Sequence, residues 1–185
     1  MNADNASRAT GMRVLKTAQL SLEPQTSAHA DEMFVVLCDP AIYEYENEPP
    51  SSPEWLRTRF AKLENRHSAD GREQWLNWVV RLPTSGLIGY VQATVHADGH
   101  AGIAYILHSA YWGRGLARQA VEGMIVELAE HYEVKSLVAV LKRGNFRSMR
   151  LLERIGFSQG TPDQHAAHEV EPDEVLMRRG GGQSP

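Results

Sequence analysis

Apolar and polar positions along the chain change period several times, and each change marks an element. Gln19 to Leu22 alternates and predicts a short strand. Ser27 is a candidate cap for a helix from Ala28 to about Cys38, with Asp31 and Glu32 near its positive end. Met33, Val36 and Leu37 would face inward, and Cys38 reads as a small core-facing residue. Ser52-Pro53-Glu54 is a cap, an N1 proline and a first-turn acid, so a second helix starts there and carries Trp55, Leu56, Phe60 and Leu63. Trp75–Leu82, Leu87–Val95 and Ala101–Leu107 read as strands; Ser85-Gly86 and Asp98-Gly99 are turns between them, which gives an antiparallel meander. Leu116, Ala117, Ala120, Val121, Met124, Ile125 and Leu128 then repeat with helical spacing. Ser136–Leu141 is a continuous apolar run, as in a buried strand. Asn145 caps a fourth helix, Gly156 ends it, and Glu174–Arg178 closes the series as a strand. Strand, helix, strand, helix in the second half requires at least one parallel pairing, so the domain is mixed α/β.

Composition narrows this little but excludes several classes. At 185 residues the chain holds one domain, two at most. One cysteine rules out a disulfide scaffold. No run approaches the ~18 apolar residues of a membrane span, and the N-terminus lacks an apolar signal segment, so a cytoplasmic setting is expected. Residues 1–10 read as a disordered N-terminus, 11–179 as a single domain and 180–185 as a flexible tail. A net charge of -4 argues against a nucleic-acid binder. The local pattern is sharper. Asp39–Glu48 has four acids and no base, while Lys142–Arg154 has five bases and one acid. Each is either a solvated face or, respectively, a mouth for a cation and a wall for an anion. His165 and His168 have metal-like spacing but no third ligand, so no metal is expected.

The junction after the third meander strand carries the chemistry. Trp112-Gly113-Arg114-Gly115-Leu116-Ala117 opens the third helix, and two glycines there let a ligand approach the backbone. The helix N-terminus offers unpaired N–H groups and about half a positive charge, a site for phosphate or pyrophosphate, with Arg114 and Arg118 beside it. A tight turn shaped by glycines alone is the other reading. No Walker-type loop is present, and the dinucleotide pattern G-x-G-x-x-G breaks at Arg118.

Tyr105-Ile106-Leu107, five residues, then Gly113-Arg114-Gly115-Leu116-Ala117 resembles motif A of the GNAT superfamily of N-acetyltransferases. Asn145 to Phe157 (NFRSMRLLERIGF) resembles its motif B, and the string is most similar to the Rim-type branch, which acetylates N-terminal amines of ribosomal proteins. The likeness in element order runs from about Gln19 to Arg179. It implies a GNAT fold, α/β (α+β), with a mixed, mostly antiparallel twisted sheet of about six to seven strands and about four helices. It also implies acetyl-CoA as cosubstrate. The pantetheine arm would run beside Ile106, Leu107 and His108, and the pyrophosphate on the N–H groups of Gly113, Arg114, Gly115, Leu116, Ala117 and Arg118. Asn145 and Ser148 match positions near the pantetheine and its sulfur. Two positions depart from the family: Trp112 stands where Gln or Arg is usual, and Leu152 where other branches carry a thiolate-protonating Tyr. Ser148 is then the candidate proton donor; its plainer role is an N3 residue bonded to the Asn145 cap.

The implied reaction is direct attack of a free amine on the thioester, with a backbone N–H at a strand bulge near Leu107 holding the oxyanion. An α-amine with pKa near ~7.7 is about 15% neutral at pH 7, against ~0.04% for a lysine near ~10.4, a gap of roughly 3.7 kcal/mol. An enzyme for α-amines therefore needs only a weak base and a path for water. Glu44, Glu46 and Glu48 are the candidates to attract the amine, and each is equally readable as part of a solvated loop. His108 is a candidate base by residue type, yet its place in the motif suggests a backbone contact. The partners are then acetyl-CoA and an amine, with neither nucleic acid nor membrane, in a monomer or homodimer. A CoA-binding sensor of the same fold is the alternative, and a DNA-binding role for the Arg147–Arg154 helix conflicts with its need for Met149, Leu151, Leu152 and Ile155 in the core.

Overall fold

The computed structural model describes residues 11–45 and 48–181. Eight strands form a single sheet: β1 (Leu15–Lys16), β2 (Ser21–Pro24), β3 (Glu73–Leu82), β4 (Gly86–His96), β5 (His100–Leu107), β6 (Ser136–Lys142), β7 (Ser158–Gln159) and β8 (Glu174–Gly180). Their order across the sheet is β1-β2-β3-β4-β5-β6-β8-β7. Five α-helices flank it: α1 (Ala30–Leu37), α2 (Pro53–Leu63), α3 (Leu116–His131), α4 (Phe146–Arg154) and α5 (Pro162–Ala167). Every strand pairing is antiparallel except β5 with β6, which α3 connects as a crossover.

The sheet is buried on both faces, and this explains the near-continuous apolar run in β3. Trp78 and Val80 belong to the larger core under α3 and α4, whereas Val79 between them packs with α1 and α2. On the larger side Leu116, Ala120, Val121, Met124, Ile125 and Leu128 of α3 are all buried, as their spacing requires. Glu127 breaks the apolar rule on that helix: it is buried and paired with Arg13 and His131.

Several expectations are corrected by the fold. Among the described residues the sheet has eight strands rather than about six or seven, and there are five α-helices rather than about four. The extra pieces are short: β1 and β7 have two residues each, and α5 starts at a Thr161 cap and a proline within a polar stretch. The first helix starts with a 3-10 turn over Ser27–His29 capped from Thr26, not from Ser27. The strand expected at Gln19–Leu22 runs from Ser21 to Pro24. Cys38 is exposed, because α1 stops one residue before it and its side chain leaves the apolar stripe. β8 continues to Gly180, so the expected tail cannot start there. Residues 1–10 and 182–185 lie outside the described residues. His165 is a structural residue: its Nε2 accepts from the Leu176 N–H at 3.1 Å, and Nδ1 lies 2.9 Å from the Thr161 carbonyl.

Candidate functional site

The cleft begins where two neighbouring strands part. The β5–β6 ladder joins His100, Ala101 and Gly102 to Ser136, Leu137 and Val138 and then stops, while β5 continues to Leu107 and β6 to Lys142. Beyond Gly102, β5 is thus no longer laddered to β6. The register shows which groups face that gap. His108 donates its N–H to the Ile88 carbonyl at 2.9 Å. In an antiparallel ladder the bonding edge alternates, so Leu107 turns its own N–H and C=O away from β4 and towards the gap. No bulge is needed for this. The β4–β5 register is continuous from Gly89↔Leu107 to Val95↔Ala101, which corrects the expected bulge at Leu107. What the strand pair does require is Gly89: a Cβ there would meet the Ile106 carbonyl oxygen at 2.0 Å.

The gap opens onto the N-terminus of α3. Gly113 and Gly115 have φ of 72° and 74°, and a Cβ built on either would meet open space. Gly115 is the N-cap and supplies no side chain to the helix end. The first intrahelical bond runs from the Gln119 N–H to the Gly115 carbonyl, so the N–H groups of Leu116, Ala117 and Arg118 have no intrahelical acceptor. The first turn carries no acid either. That positive end faces the cleft and suits an anion.

The cleft has a volume of about 480 Å3. Ile106, Leu107, Gly113, Gly115, Leu116, Ala117 and Arg118 line it, and so do Asn145 and Ser148 from the opposite wall. Asn145 Oδ1 accepts the Ser148 N–H at 3.1 Å and thereby caps α4. The Ser148 carbonyl accepts from the Tyr105 hydroxyl at 3.3 Å, a bond that ties β5 to α4 across the gap. Arginines surround the opening. Arg147, Arg150 and Arg154 line it from α4. Arg114 sits 5.5 Å from the Tyr111 ring centre, and Arg118 is paired with Glu122 at 3.0 Å.

Not every expected residue lies here. His108 is not among the lining residues, and its backbone N–H is already used on Ile88. Its ring instead stands 3.6 Å from Asp39 Oδ2 and edge-on to Tyr111. Arg114 is exposed and borders the turn without lining the cleft. Glu44 and Glu48 are exposed and likewise do not line it; Glu44 is bonded to Tyr45. Glu46 lies outside the described residues. From this acidic segment the cleft receives Ala41, Ile42 and Tyr45 instead.

The acid that matters structurally in this segment is Asp39, which its sequence context did not single out. Its side chain is 7% exposed. Oδ2 accepts the Ser109 N–H at 2.6 Å and Oδ1 the Ala41 N–H at 3.1 Å. Burial by itself would raise its pKa, but these bonds and nearby His108 outweigh it and hold the carboxyl below the usual range. One carboxylate thus starts the 3-10 turn Pro40–Glu44 on one wall and fixes the Ser109–Tyr111 turn on the other. An Asp-Pro pair after a helix is the only local sign of it in the sequence.

Comparison with known proteins agrees with this geometry. The acetyltransferase (GNAT) domain family matches residues 19–158. The chain belongs to the GNAT acetyltransferase family. The protein named "Uncharacterized N-acetyltransferase p20" of Bacillus licheniformis is 25% identical over 150 residues, covering 80% of this chain and 84% of that one. Among solved structures, the ribosomal L7/L12 α-N-protein acetyltransferase RimL in complex with coenzyme A superposes with a TM-score of 0.77 at 15% identity, covering 91% of this chain and 98% of its own. The ribosomal-protein-S5-alanine acetyltransferase of Vibrio fischeri gives 0.76 at 17%, covering 94% and 100%. The GNAT fold is therefore shared almost end to end with Rim-type enzymes, as motifs A and B suggested. Among the described residues no group of His, Cys, Asp and Glu is placed to hold a metal ion, and no helix is long and apolar enough to cross a membrane.

Proposed function

We propose that this GNAT protein transfers an acetyl group from acetyl-CoA to a primary amine, and that the acceptor is a protein N-terminal α-amine or a small-molecule amine. The observation that carries this is the parting of β5 from β6 directly above the uncapped, acid-free N-terminus of α3. A CoA thioester has the matching parts: a diphosphate for the helix N–H groups and an amide-bearing arm for a strand that has parted from its neighbour. The RimL neighbour's description as a coenzyme A complex supports the ligand, and its α-N-protein activity supports the acceptor class.

The reaction is one displacement. The lone pair of the neutral amine attacks the thioester carbonyl carbon, the C–S bond breaks, the thiolate takes a proton and the nitrogen loses one to solvent. Holding both reactants in line can supply up to about 7–11 kcal/mol. The Leu107 N–H is the proposed oxyanion donor, worth roughly 3 kcal/mol if well aimed. Ser148 is the proposed proton donor to sulfur. Leu152 cannot take that part, being a buried aliphatic residue.

That last fact also favours a second reading, a CoA-binding domain without transfer. One experiment separates the two. Calorimetry with acetyl-CoA measures binding, and a thiol-release assay over N-terminal peptides, polyamines, amino acids and aminoglycosides measures transfer. Binding together with amine-dependent thiol release supports the enzyme, and binding without release supports the sensor. Ser148→Ala should lower kcat about tenfold or more with little change in KM for acetyl-CoA; unchanged turnover leaves Ser148 the N3 residue bonded to the Asn145 cap.

A further inference from the structure

Trp112 lies at the junction between the end of β5 and the start of α3. It is the first residue after the Ser109–Tyr111 turn and just before Gly113. Its indole N–H donates to the Leu107 carbonyl at 2.7 Å. The Arg147 guanidinium carbon lies 3.7 Å from its ring centre. Both Trp112 and Arg147 line the cleft.

We propose that Trp112 is a positioning residue of the thioester site: its N–H fixes the Leu107–His108 peptide and its ring face holds Arg147 over the cleft. The inference rests on the acetyl-CoA reading above.

The peptide between Leu107 and His108 is gripped at both ends. Its N–H, from His108, is bonded to Ile88 on β4. Its carbonyl, from Leu107, faces the gap and would point a partial negative charge at any oxygen gaining charge there. The indole N–H sits on that carbonyl and offsets its charge. It also stops the strand end from rotating, and so holds the adjacent Leu107 N–H in its outward orientation. The indole has one donor and places it on the backbone. The second contact acts on the opposite wall. Arg147 is exposed and sits near the start of α4, two residues after the Asn145 cap. Stacked on the indole, the guanidinium is held at the cleft while its edge donors stay available. A single side chain therefore couples the end of β5 to the first turn of α4.

Two variants separate the two contacts. Trp112→Phe keeps an aromatic face and removes the donor. It should lower kcat with the best amine about tenfold, the size of one lost hydrogen bond to a partly buried carbonyl, while CoA affinity stays within about twofold. Arg147→Gln should weaken CoA binding about threefold or more by removing the held charge. A third measurement needs neither variant nor turnover. In 15N NMR spectra of the unaltered protein, the Trp112 indole proton, assigned through its contacts to Leu107, should be shifted downfield and exchange slowly with water. Exchange at the rate of a free indole overturns the proposal, as does a Trp112→Phe protein with unchanged kcat and an unchanged His108 amide resonance. A protein that binds CoA but releases no thiol with any amine would overturn the acetyltransferase reading instead; the NMR result would still decide the role of Trp112.

Discussion

Two helix N-termini in this molecule are built in opposite ways. α2 is finished by its own residues: Ser52 Oγ accepts the Trp55 N–H at 3.1 Å, Pro53 fills N1 and Glu54 lies in the first turn. α3 has a left-handed glycine as its cap, no side-chain bond to its N–H groups and no first-turn acid. The longer helix is thus the one whose positive end is left unfinished. Its stability does not need the cap, because a stripe of buried residues from Leu116 to Leu128 anchors it to the sheet. The contrast teaches that capping serves stability at α2, and that its absence at α3 leaves donors for a ligand.

The comparison can be broken most severely at Gly115. Gly115→Val puts a β-branched residue at a φ of 74° and a side chain into the open space of the cleft. CoA affinity should fall at least about a hundredfold, with a stability loss of about 1–2 kcal/mol from the left-handed backbone. Calorimetry and circular dichroism together would show a folded protein that no longer binds; retained affinity would remove the diphosphate from this turn. Ala117→Glu gives α3 the first-turn acid that α2 already has. CoA binding should weaken about tenfold at low salt, with the helix itself unharmed.

Asp39 is an intermediate case, a cap that also joins two walls of the cleft. Its folded pKa is depressed, so its contribution is present above the unfolded value near ~3.9 and is lost as pH falls through the lower folded value. Asp39→Asn should cost about 1 kcal/mol near neutral pH and flatten the stability curve below about pH 4. It should also raise KM for the amine, since Ala41, Ile42 and Tyr45 follow directly from its turn. Denaturant titrations over pH test the first effect, and unchanged acid sensitivity would leave the carboxylate without the assigned role. The smallest change is at the finished end. Ser52→Ala should cost about 1 kcal/mol or less in thermal or urea unfolding and leave CoA affinity as it is. Altered affinity would show that the two helix ends are not independent.

The elements legible from the sequence were those whose signal is local. The Ser52-Pro53-Glu54 start, the Asn145 cap, the Gly156 stop and the α3 stripe all appear where their residues predict. Each rests on contacts within one helix or on a period of 3.6. The two-residue strands β1 and β7 carry no period at all, since they are strands only because a neighbour supplies the other half of the ladder. The glycine turn could be read in advance because its residues are consecutive. The acidic segment could not. Four acids in ten residues drew attention to Glu44 and Glu48, which stay in solvent, and away from Asp39, whose partner on the opposite wall, Ser109, is 70 residues distant.

What the sequence determined by itself is four of the five described α-helices, the meander and the glycine turn that opens α3, because backbone conformation and apolar periodicity are written in adjacent residues. Only the tertiary structure decided that β5 and β6 part after Gly102, that Leu107 turns its amide into the opening and that Trp112 holds its carbonyl. Those depend on where two strands stop pairing, and pairing is a property of distant segments brought together.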